Sequence, residues 1–267
     1  MPPRPEEVWA AAMVSAAALC AEVRHHDDGS SDSQYDLDII RPGFPVAAAE
    51  VVAAADSASI ELWKLMNGGD GRWLIRNLRG GWMVTVMATA RYRRLRAELP
   101  ALLAKLEEAG LTALPGAAGG AGLDRVARDL QVASAWQGDT SFPGSVYLSI
   151  ELPSERSGGI VPESGDPLSE WLGEFLREPG QADVLSKLQR SGADQRHAFV
   201  LLPGFSTAPF PVTDILMRSD AALPSRAPDL PAEITHLWAV STWNSGDGMR
   251  WAPEVGWRRF SRLAETS

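Results

Sequence analysis

Hydrophobic and polar positions in the first half of the chain change period several times, which predicts alternating helices and strands. Alternating charged and apolar residues precede the Pro42-Gly43 turn, and an almost wholly apolar run follows it, which predicts a hairpin. The elements predicted for this half are, in chain order, a helix at 5–24, strands at 35–40 and 46–54, a helix from Ser57, a strand at 82–87 and a helix at 89–110 with a kink at Pro100.

The residue pattern of the second half also predicts both helices and strands. They follow a segment at 115–122 that is nearly all Ala and Gly. Such a segment packs poorly, so we interpret it as a linker between a core at 1–114 and an α+β portion at 123–267, with one continuous domain as the alternative. The predicted elements that follow are a strand at 146–152, helices at 167–177 and 182–191, a strand at 197–202, and two β-rich segments at 236–243 and 249–260 joined by a hairpin loop. The fold class is therefore mixed α/β.

Composition restricts the class of protein further. A chain of 267 residues with 45% hydrophobic residues has ample material for a core, and its single cysteine, Cys20, excludes an internal disulfide. Acidic Glu6 and Glu7 precede the small apolar run at 10–21 where a signal peptide has Lys or Arg, and no longer apolar run follows. We therefore expect a cytoplasmic protein with no membrane association. The net charge of −9 disfavours nucleic-acid binding by the whole surface.

Three carboxylates stand at informative positions. Glu50 lies within an apolar strand, where a buried charge requires a partner, a proton or a metal ion. Asp36 lies on the preceding strand, and Glu22 lies near the end of the first predicted helix. Simpler interpretations stay open: Asp36 on the exposed face of an amphipathic strand, Glu50 paired with Arg41 across the hairpin, and Glu22 in solvent.

This arrangement of acids resembles the core of the restriction-endonuclease-like, or PD-(D/E)XK, nuclease superfamily, over residues 5 to 112. The resemblance implies a nuclease-like αβββαβ core at 1–114 followed by the α+β portion at 123–267. It implies that Asp36, Glu50 and a supporting Glu22 hold Mg²⁺ beside a scissile phosphate, with Asp36 and Glu50 catalytic. The superfamily's lysine position, two residues after Glu50, is Val52 here, so Lys64 is the candidate catalytic cation. The text around Tyr35-Asp36-Leu37 and Ala49-Glu50-Val51 also resembles a group of actinobacterial proteins, a likeness that implies no activity.

An arginine-rich segment follows, with seven arginines and no acid between residues 71 and 97. Clusters of this kind contact phosphates, and interleaved aromatic residues can stack on bases. The alternative is a set of solvated charges. The candidate nucleic-acid-binding residues are Arg72, Arg76, Arg79, Arg91 and Arg94, and the segment also contains Arg93 and Arg96.

The hypothesis from the sequence is a metal-dependent, nuclease-like protein that acts on or binds nucleic acid, with Mg²⁺ as its cofactor. No Walker loop or dinucleotide fingerprint occurs, so no nucleotide cofactor is expected. The first alternative is a non-catalytic interaction or regulatory protein on the same fold, with a protein or nucleic acid as partner. A second alternative is a small-molecule enzyme with its site between the halves. The oligomeric state stays open.

Overall fold

The computed structural model describes residues 4–17, 21–27, 34–68, 73–115, 121–138, 142–243 and 247–261 of the chain. Backbone contacts divide the chain into two compact units. The first unit is Met1–Ala55 together with Ser154–Ser267, and the second is Asp56–Pro153. The second unit is therefore an insertion between two parts of the first.

The helices and strands are numbered in chain order. They are α1 (Pro5–Ala17), β1 (Glu22–His25), β2 (Leu37–Ile40), β3 (Ala47–Ala53), α2 (Ser57–Asn67), β4 (Trp73–Leu74), β5 (Trp82–Met87), α3 (Tyr92–Glu108), β6 (Ala113–Leu114), α4 (Ala121–Asp129), β7 (Val132–Gln137), β8 (Ser145–Glu151), α5 (Ser154–Ser157), α6 (Asp166–Arg177), α7 (Ala182–Arg190), β9 (Arg196–Leu202), α8 (Phe210–Met217), β10 (His236–Ser241), β11 (Asp247–Ala252) and β12 (Gly256–Ser261). A 3₁₀ turn, Pro179–Gln181, precedes α7.

The first unit is built on a seven-stranded sheet in the order β1-β2-β3-β9-β10-β11-β12. Its central strands β3, β9 and β10 are parallel, and the outer pairs are antiparallel. Helix α1 packs on one face, where Met13 meets Ala49 and Phe199. Helices α6, α7 and α8 cover the other face, where Leu172 packs with Ala198. A strand covered on both faces favours apolar residues at every position, which explains why Glu50 is the one polar residue of β3.

The second unit contains a five-stranded sheet in the order β4-β8-β5-β7-β6. Strands β5 and β8 are parallel, and β7 pairs antiparallel with both β5 and β6. The leucines predicted to form one face of α3 are buried in this unit. Pro100 lies within α3 and does not end the helix.

The chain is thus mixed α/β with two mixed sheets, as the sequence predicts, but the division between units differs from the predicted one at 115–122. Strand β6 precedes that segment and pairs with β7, which follows it, so both sides belong to one unit. Helix α4 begins within the segment, at Ala121, and residues 116–120 lie outside the described residues.

The prediction of a single helix over 5–24 is wrong at its carboxyl end. Helix α1 ends at Ala17, and residues 22–25 form β1. Glu22 and His25 pair in register with Ile40 and Leu37 of β2, so pairing with a neighbouring strand outweighs the local helix propensity. The β-rich segment predicted at 249–260 contains two strands, β11 and β12, joined by a turn. Strands β4, β6 and β7 and helices α4, α5 and α8 were not predicted.

No helix among the described residues combines the length and the apolar character needed to cross a bilayer.

A buried carboxylate stabilises the second unit. Glu107, near the end of α3, accepts hydrogen bonds from the backbone N–H groups of Arg79 and Gly80, at 2.7 and 3.0 Å. It also accepts bonds from the indole N–H of Trp82 and the amide of Gln137, at 3.1 and 2.9 Å. This one side chain therefore satisfies donors from two separate segments, residues 79–82 and strand β7, and connects both to α3.

Replacement of Glu107 by Gln is expected to lower the free energy of unfolding by about 2 to 4 kcal/mol, because charge-assisted bonds are lost and an amide N–H faces donors. Urea denaturation measures the effect. The neighbouring Glu108 is exposed, so Glu108→Gln is the matched control. Equal stability of the two variants would contradict the structural role of Glu107.

Candidate functional site

Asp36 and Glu50 lie side by side in the first unit. Asp36 immediately precedes β2, and Glu50 is in the middle of β3, in a register that pairs Leu37 with Ala49. The Asp36 backbone N–H donates to Glu50 Oε2 at 3.1 Å, and the Val51 N–H donates to Asp36 Oδ2 at 2.7 Å. Each acidic residue is only 2% exposed. The predicted hairpin thus brings the two predicted acids together, and Asp36 does not lie on an exposed strand face.

Two cations from distant parts of the chain compensate these carboxylates. Lys187 on α7 places its Nζ 2.8 Å from Glu50 Oε1. Arg4, which precedes α1, places Nη2 3.1 Å from both carboxylate oxygens of Asp36. The Arg4 Nε also pairs with Glu7, a buried residue of α1. Three buried carboxylates therefore share two cations.

Burial governs the charge state of this cluster. It raises the pKa of Glu50 to about 7, and the negative charge of Asp36 acts in the same direction, while Lys187 opposes it. Burial also raises the pKa of Asp36, despite the Val51 N–H and the Arg4 guanidinium. The pKa of Lys187 is raised by Glu50, although burial alone would lower it. The three carboxylates thus outnumber the two cations, and burial favours a proton on Glu50 near neutral pH.

These carboxylates fit a hard divalent cation by the chemistry of their donor oxygens. Mg²⁺ is commonly held by one or two carboxylates and keeps several waters, and Asp36 and Glu50 supply that pair. Among the residues that the structure describes, no group of three or more acid, histidine or cysteine side chains is arranged to hold a metal ion. Two carboxylates are therefore the basis of any metal site here.

Glu22 and Lys64 are not part of this cluster. Glu22 lies on β1 rather than on a helix, and its exposed carboxylate is bonded to the Arg24 guanidinium. The acid that α1 contributes is Glu7 instead. Lys64 is exposed on α2 of the second unit, and the ion pair with Glu50 is made by Lys187. Arg41, the alternative partner considered for Glu50, bonds to Gln195.

The arginine-rich segment is only partly available for a ligand. The Arg79 and Arg94 guanidiniums bond to Glu107 and Glu98, and Arg96 stacks over the Trp73 ring. Arg76, Arg91 and Arg93 are exposed. Arg72 lies outside the described residues.

Sequence analysis missed the residues that surround the acids, namely Arg4, Glu7 and Lys187. Lys187 is separated from Glu50 by 137 positions, and the whole second unit lies between them. Glu7 could have been found from the sequence, because it is one of the two acids at the start of the first helix that argue against a signal peptide. Arg4 carries no comparable signal.

Comparison of the chain with protein-family models, with curated proteins and with solved structures gives no match. The interpretation of this site therefore depends on its geometry and charge.

The raised pKa of Glu50 predicts a pH-dependent stability. Folded Glu50 holds its proton more tightly than unfolded Glu50, whose ordinary pKa is 4.5. The stabilisation is complete below that value and is lost as the pH rises through about 7. In metal-free buffer, the wild type should therefore lose about 2 to 3 kcal/mol more than Glu50→Gln as the pH rises through this window.

Urea denaturation at several pH values measures that difference, with the exposed Glu61→Gln as the control. Parallel pH profiles for the wild type and Glu50→Gln would refute the raised pKa.

Proposed function

We propose that the protein is a metal-dependent, nuclease-like enzyme in which Asp36 and Glu50 hold Mg²⁺. The observation that carries the proposal is the pair of adjoining buried carboxylates, which together with Glu7 form a group of three acids approached by two cations. Lys187 lies 2.8 Å from Glu50, and Arg4 lies 3.1 Å from Asp36. A purely structural ion cluster gains stability from balanced charges, whereas a cation site requires this excess.

The order of elements in the first unit supports the same proposal. Helix α1, the antiparallel strands β1-β2-β3, helix α7 and the parallel strand β9 follow one another in the order αβββαβ when the second unit, α5 and α6 are counted as insertions. Asp36 and Glu50 then belong to the second and third strands of that core, and Glu7 belongs to its first helix.

Each residue of the cluster has a distinct role in the proposed reaction. Asp36 and Glu50 would hold Mg²⁺, which when bound would supply an acidified water and neutralise charge on a phosphodiester. Lys187 supplies an ammonium group close to Glu50. Val52 occupies the position on β3 where the superfamily has its lysine, so a lysine from α7 takes that role. Glu7 holds Arg4 beside Asp36. Exposed Arg76, Arg91 and Arg93 of the second unit supply contacts to nucleic-acid phosphates.

The proposed activity predicts Mg²⁺- or Mn²⁺-dependent cleavage of single- or double-stranded DNA or RNA. Asp36→Asn and Glu50→Gln should each lower the cleavage rate by at least about a hundredfold, because each removes a ligand charge. Lys187→Met should lower it by about tenfold or more, since it removes the ammonium. Gel assays with end-labelled substrates measure these rates.

The control for Lys187→Met is Arg190→Met. Arg190 is exposed on the same helix, so this variant should cleave at the wild-type rate. Thermal melting verifies that every variant is folded. Absence of cleavage by the folded wild type with all four substrates would overturn the proposal. If Lys64→Met loses activity while Lys187→Met keeps the wild-type rate, the role of Lys187 is contradicted.

A second candidate function is supported by Arg4. Its guanidinium Nη2 lies equally close to both oxygens of Asp36, as a permanent substitute for a metal ion would. In this case the cluster is structural, and the protein binds a nucleic-acid or protein partner without cleaving it.

Replacement of Arg4 by Gln separates the two functions. Arg4 has a side chain that is 55% exposed, so it can leave Asp36 without disturbing the core. If Asp36 holds a metal ion, the variant should bind Mg²⁺ about tenfold more tightly, because a competing cation is removed. Isothermal titration calorimetry measures this affinity. Reduced stability with no Mg²⁺ binding in either protein would favour the non-catalytic function.

A further inference from the structure

A second polar site lies on the opposite face of the seven-stranded sheet. Glu50 pairs in register with Ala198, whose side chain packs in the core under α6, α7 and α8. The adjacent His197 therefore projects to the α1 face, because successive side chains of a strand alternate. There, where β9 and β10 begin, a cavity of about 350 Å³ is lined by residues that include Arg41, Phe44, His197, His236, Trp238 and Arg250.

The inner wall of this cavity carries hydrogen-bond donors without acceptors. The Trp238 indole N–H donates to His197 Nδ1 at 3.0 Å, so a neutral His197 ring carries its proton on Nε2. Within the described part of the chain, His197 Nε2 is buried and has no hydrogen-bond partner, and the same holds for Arg250 Nε. His197 is only 5% exposed. Buried donors of this kind require an acceptor.

The charge around the cavity is predominantly positive. Burial lowers the pKa of His197, and the positive charges of Arg41 and Arg250 lower it further. The same two arginines lower the pKa of His236, which burial also lowers. Glu254 Oε2 lies 3.9 Å from His236 Nε2 and raises the pKa of His236, but the Glu254 side chain is 64% exposed. Both histidines are therefore held neutral, and the two guanidiniums lack a buried counter-ion among the cavity's described residues.

Flat rings form the remaining walls. The rings of His197 and His236 are stacked with centroids 4.3 Å apart. Arg250 lies over the Trp238 ring at 5.4 Å, and Arg41 lies over the exposed Phe44 ring at 5.1 Å. Each guanidinium is thereby held against an aromatic face, which orients its N–H groups and leaves apolar surface beside them.

We propose that this cavity binds a small organic anion, in which a carboxylate or phosphate group is attached to a flat apolar body. The oxyanion would accept from His197 Nε2–H and from the Arg41 and Arg250 guanidiniums, and the apolar body would lie against the aromatic walls. The volume is at the small end of the range typical of ligand sites, which restricts the ligand to about the size of one ring system. This site is independent of Asp36 and Glu50.

Isothermal titration calorimetry with four probes tests the proposal. Benzoate and phenyl phosphate carry both an oxyanion and a ring, benzamide lacks the charge, and inorganic phosphate lacks the ring. At least one of the two aromatic anions should bind at least about tenfold more tightly than benzamide and inorganic phosphate, because only these probes use both features. The preference between them identifies a carboxylate or a phosphate. Absence of binding by both would overturn the proposal.

Variants locate the binding. Arg250→Gln and Arg41→Gln should each weaken it by about tenfold to a hundredfold, whereas Arg190→Gln, on the opposite face, should leave it unchanged. Equal binding by all three variants would also overturn the proposal. The titrations contain EDTA and are repeated with Glu50→Gln, so failure of the proposed nuclease function leaves this result unaffected. Retained melting transitions verify that each variant is folded.

Discussion

The main constraint on the first unit is the free-energy cost of burying two carboxylates, Asp36 and Glu50, at paired strands. Asp36 and Glu50 bond to each other's strands through the Asp36 and Val51 N–H groups, so each acid also fixes the register of the hairpin. A shift of either strand by one residue would move its own carboxylate to the face packed by α1 and would break these bonds. The cost of such burial is acceptable only where cations reach the acids, and the arrangement of α1 and α7 follows from that requirement.

The second unit is inserted between Glu50 and the cation that pairs with it, Lys187. Strand β3 ends two residues before the second unit begins, and Lys187 returns on α7 after that unit is complete. The chain can leave the first unit at this point because β3 and β9 are parallel neighbours, which need a crossover connection in any case. A crossover of this kind accepts a whole folded unit without altering the pairing of Glu50 with Lys187.

Local patterns predicted much of the fold because they depend on local physics. The strand at 82–87, the leucine face of α3 and the strand containing Glu50 follow from side-chain periodicity within a few residues. Strand β1 could not be predicted in this way, because residues 22–25 become a strand only by pairing with β2. Glu50 indicated that a buried partner was needed, but its identity as Lys187 depends on a contact that spans 137 positions. The sequence interpretation therefore predicted the proximity of Asp36 and Glu50, but it placed Glu22 on the first helix, and this residue lies on β1.

The two faces of the seven-stranded sheet present opposite polar imbalances. On the α7 face, the acids outnumber the cations that approach them, and burial together with the charge of Asp36 raises the pKa of Glu50. On the α1 face, the donors of His197 and Arg250 exceed the acceptors within reach, and the pKa of His197 is lowered. Buried polar groups in a stable fold are normally satisfied, so an imbalance of each sign marks a place where the protein is complementary to something outside itself. That argument supports the proposed cation at the acidic cluster and the proposed anion in the histidine cavity, and one sheet separates the two.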